Sequence, residues 1–306
     1  MTESYQPDYV CVGGIVIDDI VFPDGETRMG VLGGGVAHAA AGMSIWDQRP
    51  GLCTCVGQDL PAAAQQRLMR DFDLQGALQL ALPQARAWQL FEWDGRRTEL
   101  PRVDDWKPFF VRPLPDEVPA AYHAAKGFHI LRSAEALPSW RRLFPQATLF
   151  WEPEQRFMIA EHADIFRHAL NYVDVVSPNL LEAQLMYGFS DPVTLVKVMI
   201  DDGAQIVALR MGEAGSLVGL RGDDTLLSLP AVGVPEIVDQ TGAGNTYCGA
   251  FLVGWLATGD VLQAAIYGGV AASFALETLG VADPPPNLPE MRAERYNWLC
   301  DRVCTA

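Results

Sequence analysis

The sequence has 306 residues, of which 49% are hydrophobic and 20% charged. That length and composition suit one large globular domain or two modest ones, and they exclude disordered and fibrous proteins. The net charge of −16 repels phosphate backbones and anionic lipids, so we expect neither a nucleic acid nor a membrane as a partner.

The N-terminal segment and the cysteines indicate an ordinary intracellular protein. Residues 1–9 are polar and include Glu3 and Asp8, which does not fit a secretory signal peptide. No apolar run reaches the ~20 residues needed to cross a bilayer. The six cysteines include no CxxC pair, so zinc-ligand spacing is missing and buried reduced thiols are expected. We expect a cytoplasmic protein.

Short apolar runs alternate with helical periods along the chain. The predicted strands are residues 10–12, 51–56, 128–131, 148–151, 173–176 and 206–209. The predicted helices are residues 60–72, 119–125, 163–171, 180–187 and 193–201. Unbroken apolar strands that alternate with helices indicate an α/β fold, a doubly wound and mostly parallel sheet flanked by helices. No linker divides the chain, so we expect a single domain of residues 1–306.

One stretch departs from that alternation. Residues 87–90 and 97–100 flank the turn-forming pair Asp94-Gly95 and are typical of a β-hairpin. Together with the early apolar segment of residues 15–22, they predict a small β-lobe formed by about residues 15–30 and 87–103. This lobe would serve as a lid or as a dimer surface. Trp88 and Glu92 are candidates to line the lid, although surface or dimer packing explains them at least as well.

The segment 239–251 is the richest in small residues. Gly242, Ala243 and Gly244 open an apolar helical period, and such a start leaves unpaired N–H groups at the positive end of the helix dipole. These groups favour an anion-binding site. A plain turn with Asn245 as the helix cap explains the same residues. The loop is neither a Walker A motif nor a dinucleotide fingerprint.

Three further features have two interpretations each. Residues 33–35 are glycines that precede an alanine-rich helix start containing His38, which fits either close approach of a polar ligand or tight packing. Asn179 and Glu182 share one helix face after a predicted strand, where they would meet a ligand or form a capping box. Arg210 follows the next strand and places a cation near the same edge of the sheet.

The order of these elements resembles the PfkB (ribokinase-like) family of carbohydrate and nucleoside kinases over nearly the whole chain. The matching motifs are Gly13-Gly14-Ile-Val-Ile-Asp18, Gly33-Gly34 with His38, Gly57-Gln58-Asp59, Asn179-x-x-Glu182, Arg210-x-Gly212-x-x-Gly215 and Asp239-x-Thr-Gly-Ala-Gly-Asn245. The resemblance implies a ribokinase-like fold, ATP with Mg²⁺, a sugar or nucleoside-like acceptor, and a homodimer formed through the β-lobe.

The resemblance also implies the roles of the site residues. Acceptor binding falls to Asp18, Gly33, Gly34 and His38. The residues that would bind MgATP are Asn179, Glu182, Arg210, Gly212, Gly215 and Thr241. Glu182 would contact the metal indirectly. Catalysis falls to Gly242, Ala243, Gly244 and Asn245.

Two positions depart from the family pattern. His38 stands where the family usually has Asn, and Asn245 stands where the family has the aspartate that acts as general base. A smaller branch of the family also has Asn at the second position. An amide accepts a hydrogen bond but cannot take up a proton, and loss of a positioned base typically costs ~10²- to 10⁴-fold in rate.

Phosphoryl transfer nevertheless depends mainly on positioning and electrostatics. A slow kinase is therefore our first hypothesis. The alternative is a catalytically impaired pseudokinase that binds nucleotide or sugar in a regulatory role. A dehydrogenase is a distant third, because neither glycine cluster fits the dinucleotide fingerprint.

Overall fold

The structure is a computed structural model that describes residues 5–93 and 97–305. The strands in these ranges are β1 (Tyr9–Val12), β2 (Val16–Val21), β3 (Thr27–Gly33), β4 (Gly51–Val56), β5 (Ala77–Gln79), β6 (Arg86–Phe91), β7 (Arg97–Pro101), β8 (Gly127–Ile130), β9 (Thr148–Trp151), β10 (Val175–Val176), β11 (Ile206–Arg210), β12 (Ser216–Leu220), β13 (Leu227–Leu229) and β14 (Cys304–Thr305). The helices are α1 (Gly35–Ser44), α2 (Ala62–Asp71), α3 (Lys107–Val111), α4 (Leu137–Leu143), α5 (Ala163–Ala169), α6 (Leu180–Tyr187), α7 (Pro192–Asp201), α8 (Ala243–Thr258), α9 (Val261–Leu276) and α10 (Leu288–Cys300).

The main sheet has the order β14-β13-β12-β11-β10-β9-β8-β1-β4-β5. From β11 to β5 neighbouring strands pair in parallel, whereas β11, β12, β13 and β14 pair antiparallel. The predicted α/β fold with a mostly parallel sheet is therefore confirmed. In such a sheet the carboxyl ends of the parallel strands lie at one edge, where ligands bind.

Alternate residues of the parallel strands enter two separate cores. In β11, Ile206 and Ala208 pack with α1, α8 and α9, whereas Val207 and Leu209 pack with α4 to α7 on the opposite face. Burial on both faces explains why these strands are continuously apolar in sequence. No helix of the described ranges combines the length and the apolar character needed to cross a membrane.

A second sheet has the order β3-β2-β6-β7. Strand β2 pairs antiparallel with β3 and parallel with β6, and β6 pairs antiparallel with β7. This small sheet, as we call it below, occupies the segments that the hairpin pattern indicated. The expected Asp94-Gly95 turn lies outside the described residues, and the lid function stays a prediction.

Helices α1 and α8 pack closely because a glycine of each helix lies against the backbone of the other. A Cβ at Gly249 would overlap the carbonyl oxygen of Ala39, and a Cβ at Gly42 would overlap that of Thr246. Thr246 Oγ1 also donates to the His38 carbonyl oxygen at 3.2 Å. This packing brings the two glycine clusters, about 200 residues apart in sequence, against each other.

Several elements differ from the predictions. The predicted helix 119–125 is only a 3₁₀ turn, Ala120–Tyr122, since so short a segment gains too few hydrogen bonds to propagate a helix. The predicted strand 173–176 shortens to Val175–Val176. Helix α9 was not predicted, because it is apolar almost all round and lacks an amphipathic period.

Candidate active site

A cavity of about 1360 Å³ opens where the carboxyl edge of the main sheet, the small sheet and the start of α8 meet. Of the predicted site residues, those that line it are Asn179, Glu182, Arg210, Gly212, Gly215, Ala243, Gly244 and Asn245. The others are not among the lining residues but contact one another or a lining residue: Gly33 lies against Asp18, Gly34 against Val16, Gly242 against His38, and Thr241 accepts from Arg97. The structure thus brings residues from three separate motifs to the cavity wall.

Helix α8 starts without a cap. Gly242, the residue before its first turn, has a φ of 75°, and no described side chain accepts from the first-turn N–H groups. The preceding loop is held by the buried Asp239, whose carboxylate accepts from Thr241 N at 2.8 Å and Gly280 N at 3.2 Å. An uncapped helix start next to a cavity offers both N–H donors and the positive dipole end to an anion.

His38 lies directly beneath this helix start. The ring packs against the Gly242 backbone so closely that a Cβ at Gly242 would overlap it. Neither ring nitrogen has a hydrogen-bond partner among the described residues. Burial lowers the pKa of His38 to about 4, against smaller opposing effects such as the charge of Asp239. The imidazole is therefore neutral at pH 7 and keeps its hydrogen-bonding capacity free.

Asn179 and Glu182 form the capping box at the start of α6. Glu182 N donates to Asn179 Oδ1 at 2.8 Å, and Asn179 N donates to Glu182 Oε2 at 2.7 Å. Burial raises the pKa of Glu182, and Arg210, with Nη2 3.8 Å from Glu182 Oε2, partly opposes that rise. The capping-box interpretation is confirmed; the pair also lines the cavity, and its contact with a ligand stays a prediction.

The Arg210 side chain is buried in a network of carboxylates. Its Nη1 lies 2.8 Å from Glu152 Oε1, and its Nη2 donates to the Ser177 carbonyl oxygen at 2.8 Å. Gly244 leaves room for this arrangement, since a Cβ there would overlap Arg210 Nη1. In this structure two carboxylates already balance the guanidinium, so direct contact with a nucleotide stays a prediction.

Glu152 is a site residue that our sequence reasoning missed. Glu152 follows β9 directly and is 3% exposed. Its second carboxylate oxygen, Oε2, is hydrogen-bonded to His129 Nε2 at 2.9 Å. Burial alone would raise the pKa of Glu152, but Arg210, His129 and the Asn245 amide hold it at about 2. Sequence reasoning could have found Glu152. Like Arg210, it follows a predicted apolar strand, so it is expected at the same carboxyl edge of the sheet.

Asp18 lies on β2 with its carboxylate turned toward the site. Gln89 Nε2 of the small sheet donates to Asp18 Oδ1 at 2.8 Å. A Cβ at Gly33 would overlap the other oxygen, so Gly33 is the residue that leaves room for the carboxylate. Burial raises the pKa of Asp18 to about 6, with the Gln89 hydrogen bond opposing. The group therefore titrates just below neutral pH.

The small sheet touches the glycine-rich loop directly. Arg97 Nη1 of β7 donates to Thr241 Oγ1 at 3.1 Å. The expectation that Trp88 lines the lid is wrong, because strand alternation turns its ring to the opposite face, where Arg102 lies 4.4 Å from it. Glu92 is exposed at the end of the hairpin and is not among the lining residues either. Cavity-lining side chains of this sheet include Ala87 and Glu99 instead.

The arrangement has the parts for two ligands. The uncapped start of α8, with Gly212 and Gly215 of the tight turn after β11, suits a polyanion at one end of the cavity. The carboxylate of Asp18 and the neutral ring of His38, which are buried and do not line the cavity, are groups of the kind that bind a hydroxyl-bearing molecule. Asn245 lies between these groups, beside Glu152 and Gly35.

Comparison with known proteins finds related sequences and folds. Residues 156–288 match the sequence model of the pfkB family carbohydrate kinases. A protein named cytidine kinase from Thermococcus kodakarensis is 29% identical over 253 residues, which cover 81% of this chain and 88% of the relative.

Solved structures resemble the whole chain. Adenosine kinase from Sinorhizobium meliloti has a TM-score of 0.79 at 18% identity, covering 94% of this chain and 99% of that one. A putative ribokinase II from E. coli in complex with ATP and Mg²⁺ has a TM-score of 0.77 at 18% identity, covering 95% and 98%. The chain thus has the ribokinase-like fold, and its residues 156–288 match the pfkB family of carbohydrate kinases.

Proposed function

We propose that this protein is an ATP-dependent kinase that transfers a phosphoryl group to a hydroxyl of a sugar or nucleoside-like small molecule. One observation carries the proposal: the uncapped start of α8 opens on the same cavity as Asn179, Glu182 and Asn245, with Asp18 behind it. That combination pairs an anion site with a site for a hydroxylated acceptor.

The nucleotide would bind along the carboxyl edge of the sheet. Backbone N–H groups of residues 242–244 would donate to the phosphoryl oxygens, where charge grows during transfer. Gly212 and Gly215 leave that wall of the cavity free of bulky side chains. Arg210 would stabilise the phosphates from beneath, through its fixed positive charge.

The site also fits Mg²⁺. Glu182 is a buried carboxylate at the cavity wall, and its Oε1 has no hydrogen-bond partner among the described residues. Magnesium in phosphoryl-transfer sites keeps several waters and one or two carboxylates as partners, so Glu182 would hold it through water. The bound ion would neutralise charge on the phosphates.

The acceptor would bind between the small sheet and α1. An ionised Asp18 accepts hydrogen bonds from hydroxyls, and His38 offers a donor and an acceptor that no described residue uses. Asn245 would orient the reacting hydroxyl. Likeness to a protein named cytidine kinase favours a nucleoside over a free sugar.

We further propose that the small sheet closes over the acceptor as a lid and excludes water. Its contact with the glycine-rich loop, from Arg97 to Thr241, supports this role. Its outer side exposes Met29 and Leu100, which is compatible with a homodimer through the lid. Sedimentation or light scattering would report that dimer.

The second candidate function is nucleotide or sugar binding without turnover. Asn245 favours it, because an amide cannot remove the proton of the acceptor hydroxyl. Such a pseudokinase would act through a partner protein. The two candidates agree on ATP binding and differ on phosphoryl transfer.

The first experiment is calorimetric titration of the protein with ATP, with and without Mg²⁺. ATP binding in the micromolar to millimolar range that Mg²⁺ strengthens supports the nucleotide-binding part of the proposal. No binding at millimolar ATP, with or without acceptors present, contradicts the kinase function. The second experiment measures ADP release with a panel of nucleosides and sugars. Binding without ADP release, in wild type and in Asn245→Asp alike, favours the pseudokinase.

A further inference from the structure

The substitution at position 245 leaves the acceptor's proton without its usual destination. Asn245 accepts a hydrogen bond through its oxygen but cannot become a neutral acid as a carboxylate does. A kinase with this chain's site therefore needs another group close to Asn245 that accepts a proton. The candidates are the titratable side chains that surround the start of α8.

Three of these side chains are unsuitable. Burial raises the pKa of Cys248 far above its ordinary range, so its thiol already holds its proton. The His38 ring packs against the Gly242 backbone and is not among the residues that line the cavity. Glu182 is occupied by Asn179 N and faces Arg210, on the nucleotide side.

Glu152 differs from these three in position and charge. It lines the cavity together with Asn245, whose neighbour Gly244 lies against Arg210, the ion-pair partner of Glu152. Arg210 Nη1 at 2.8 Å and His129 Nε2 at 2.9 Å hold one carboxylate oxygen each. A carboxylate has about four lone-pair sites, so both oxygens keep capacity for another donor.

We propose that Glu152 receives the proton of the acceptor hydroxyl in the phosphoryl transfer, with Asn245 orienting that hydroxyl toward it. This inference rests on the proposed kinase function. The acceptor oxygen forms a bond to the γ-phosphorus, and the bond from that phosphorus to the bridging oxygen breaks, leaving its electron pair on ADP. The hydroxyl proton passes to Glu152 and then to solvent.

An acidic carboxylate is adequate for this step. In a loose transition state the acceptor hydroxyl becomes strongly acidic only once its bond to phosphorus forms, so the proton leaves late. The carboxylate must then be ionised and fixed in place. Arg210 and His129 supply both conditions, because they stabilise the charge and fix the two oxygens.

The test is a double-mutant cycle of Glu152→Gln and Asn245→Asp, measured as kcat and KM with MgATP and an acceptor panel of cytidine, adenosine and ribose. We expect E152Q to lower kcat by ~10²- to 10⁴-fold, as loss of a proton acceptor does. We expect the KM for ATP to stay within a few-fold. Adding N245D to E152Q should restore at least a tenth of the wild-type kcat, because it returns a carboxylate to the site.

The cycle separates the possible roles. A wild-type kcat in E152Q overturns the inference. A low kcat in E152Q that N245D does not restore also overturns it, because it shows that Glu152 acts structurally. If neither wild type nor N245D phosphorylates any acceptor of the panel, the result contradicts the proposed function itself. Glu277→Gln, which removes one member of the Arg295–Glu277 pair at 2.6 Å outside the cavity, controls for loss of a carboxylate–arginine contact. Thermal melting and MgATP binding verify that each variant is folded.

Discussion

His38 of α1 and Gly242 before α8 are in direct contact, so the two glycine-rich segments of the sequence form one structural unit. The imidazole occupies the space where any Cβ at position 242 would lie. Gly242 also has a φ of 75°, a conformation that side chains with a Cβ rarely adopt. The proposed anion-binding end of α8 and the proposed acceptor side of the site therefore share one contact.

Gly242→Ala should damage this unit through both effects. The added methyl group must displace the His38 ring, and the positive φ adds about 1 kcal/mol of strain. We expect a loss of more than 2 kcal/mol in the free energy of unfolding, together with weaker ATP binding. Denaturant unfolding and calorimetry measure the two quantities.

Gly259→Ala is the matched control for that variant. Gly259 has a φ of 65° at the other end of α8, but no atom lies within 4 Å of its would-be Cβ. It should lose only the strain of about 1 kcal/mol and bind ATP as the wild type does. Equal stability losses in the two variants would show that the contact with His38 is unimportant.

The sequence allowed prediction of the sheet and of most motif positions, but not of how the motifs touch. Strand–helix alternation and the glycine motifs are local patterns, and each was visible in a short window. The contact of His38 with Gly242 depends on the close packing of α1 and α8 through Gly42 and Gly249. That packing is a property of two helices about 200 residues apart and leaves no local signal.

Asp18 should give acceptor binding a pH dependence. Burial raises its pKa to about 6, so the carboxylate that accepts hydroxyl hydrogen bonds is lost as the pH falls below that value. The KM for the acceptor should therefore rise as the pH falls from 7 to 5, whereas the KM for ATP changes little. Steady-state kinetics across this range measure both.

The variant Asp18→Asn identifies the responsible group. It removes the titration and leaves Gln89 beside an amide, so the acceptor KM should be high at every pH, by ~10-fold or more at pH 7. A pH-dependent KM that persists in D18N would assign the titration to another residue.

His38 should make the protein less stable in acid. Its pKa in the folded protein is about 4, below the ~6.5 of an unfolded chain, so the unfolded state binds the proton more readily. The stabilising difference is complete above pH 6.5 and is lost as the pH falls toward 4. Its full size is about 3 kcal/mol.

The measurement for His38 is a comparison of slopes. Asp18, with its raised pKa, acts in the opposite direction between pH 3.8 and about 6, because ionisation of its buried carboxylate costs stability. Wild type and His38→Asn keep that Asp18 effect in common. The difference in their free energies of unfolding should therefore shift by ~2–3 kcal/mol in favour of the variant from pH 7 to pH 4. Parallel curves would contradict the assignment.

Glu152 shows a second limit of sequence reasoning. The residue follows the predicted strand 148–151 directly, so its place at the carboxyl edge was predictable. Its partners His129 and Arg210 come from neighbouring strands β8 and β11, and their pairing depends on strand order. Strand order is a tertiary property, and it decides that these three side chains form one buried network.

Arg210 should be the residue on which that network depends for stability. It is the cation between Glu152 at 2.8 Å and Glu182 at 3.8 Å, so Arg210→Met leaves two buried carboxylates without their partner. We expect a loss of about 3–5 kcal/mol in the free energy of unfolding near pH 7, since an uncompensated buried charge costs that much. The loss should shrink in acid, where protonation removes the charges, and it should shrink when Glu152→Gln is combined with Arg210→Met. Urea unfolding of the two single variants and the double variant at pH 7 and 5 tests both statements. A loss that is independent of pH and additive in the double variant would assign the role of Arg210 to packing of its side chain instead.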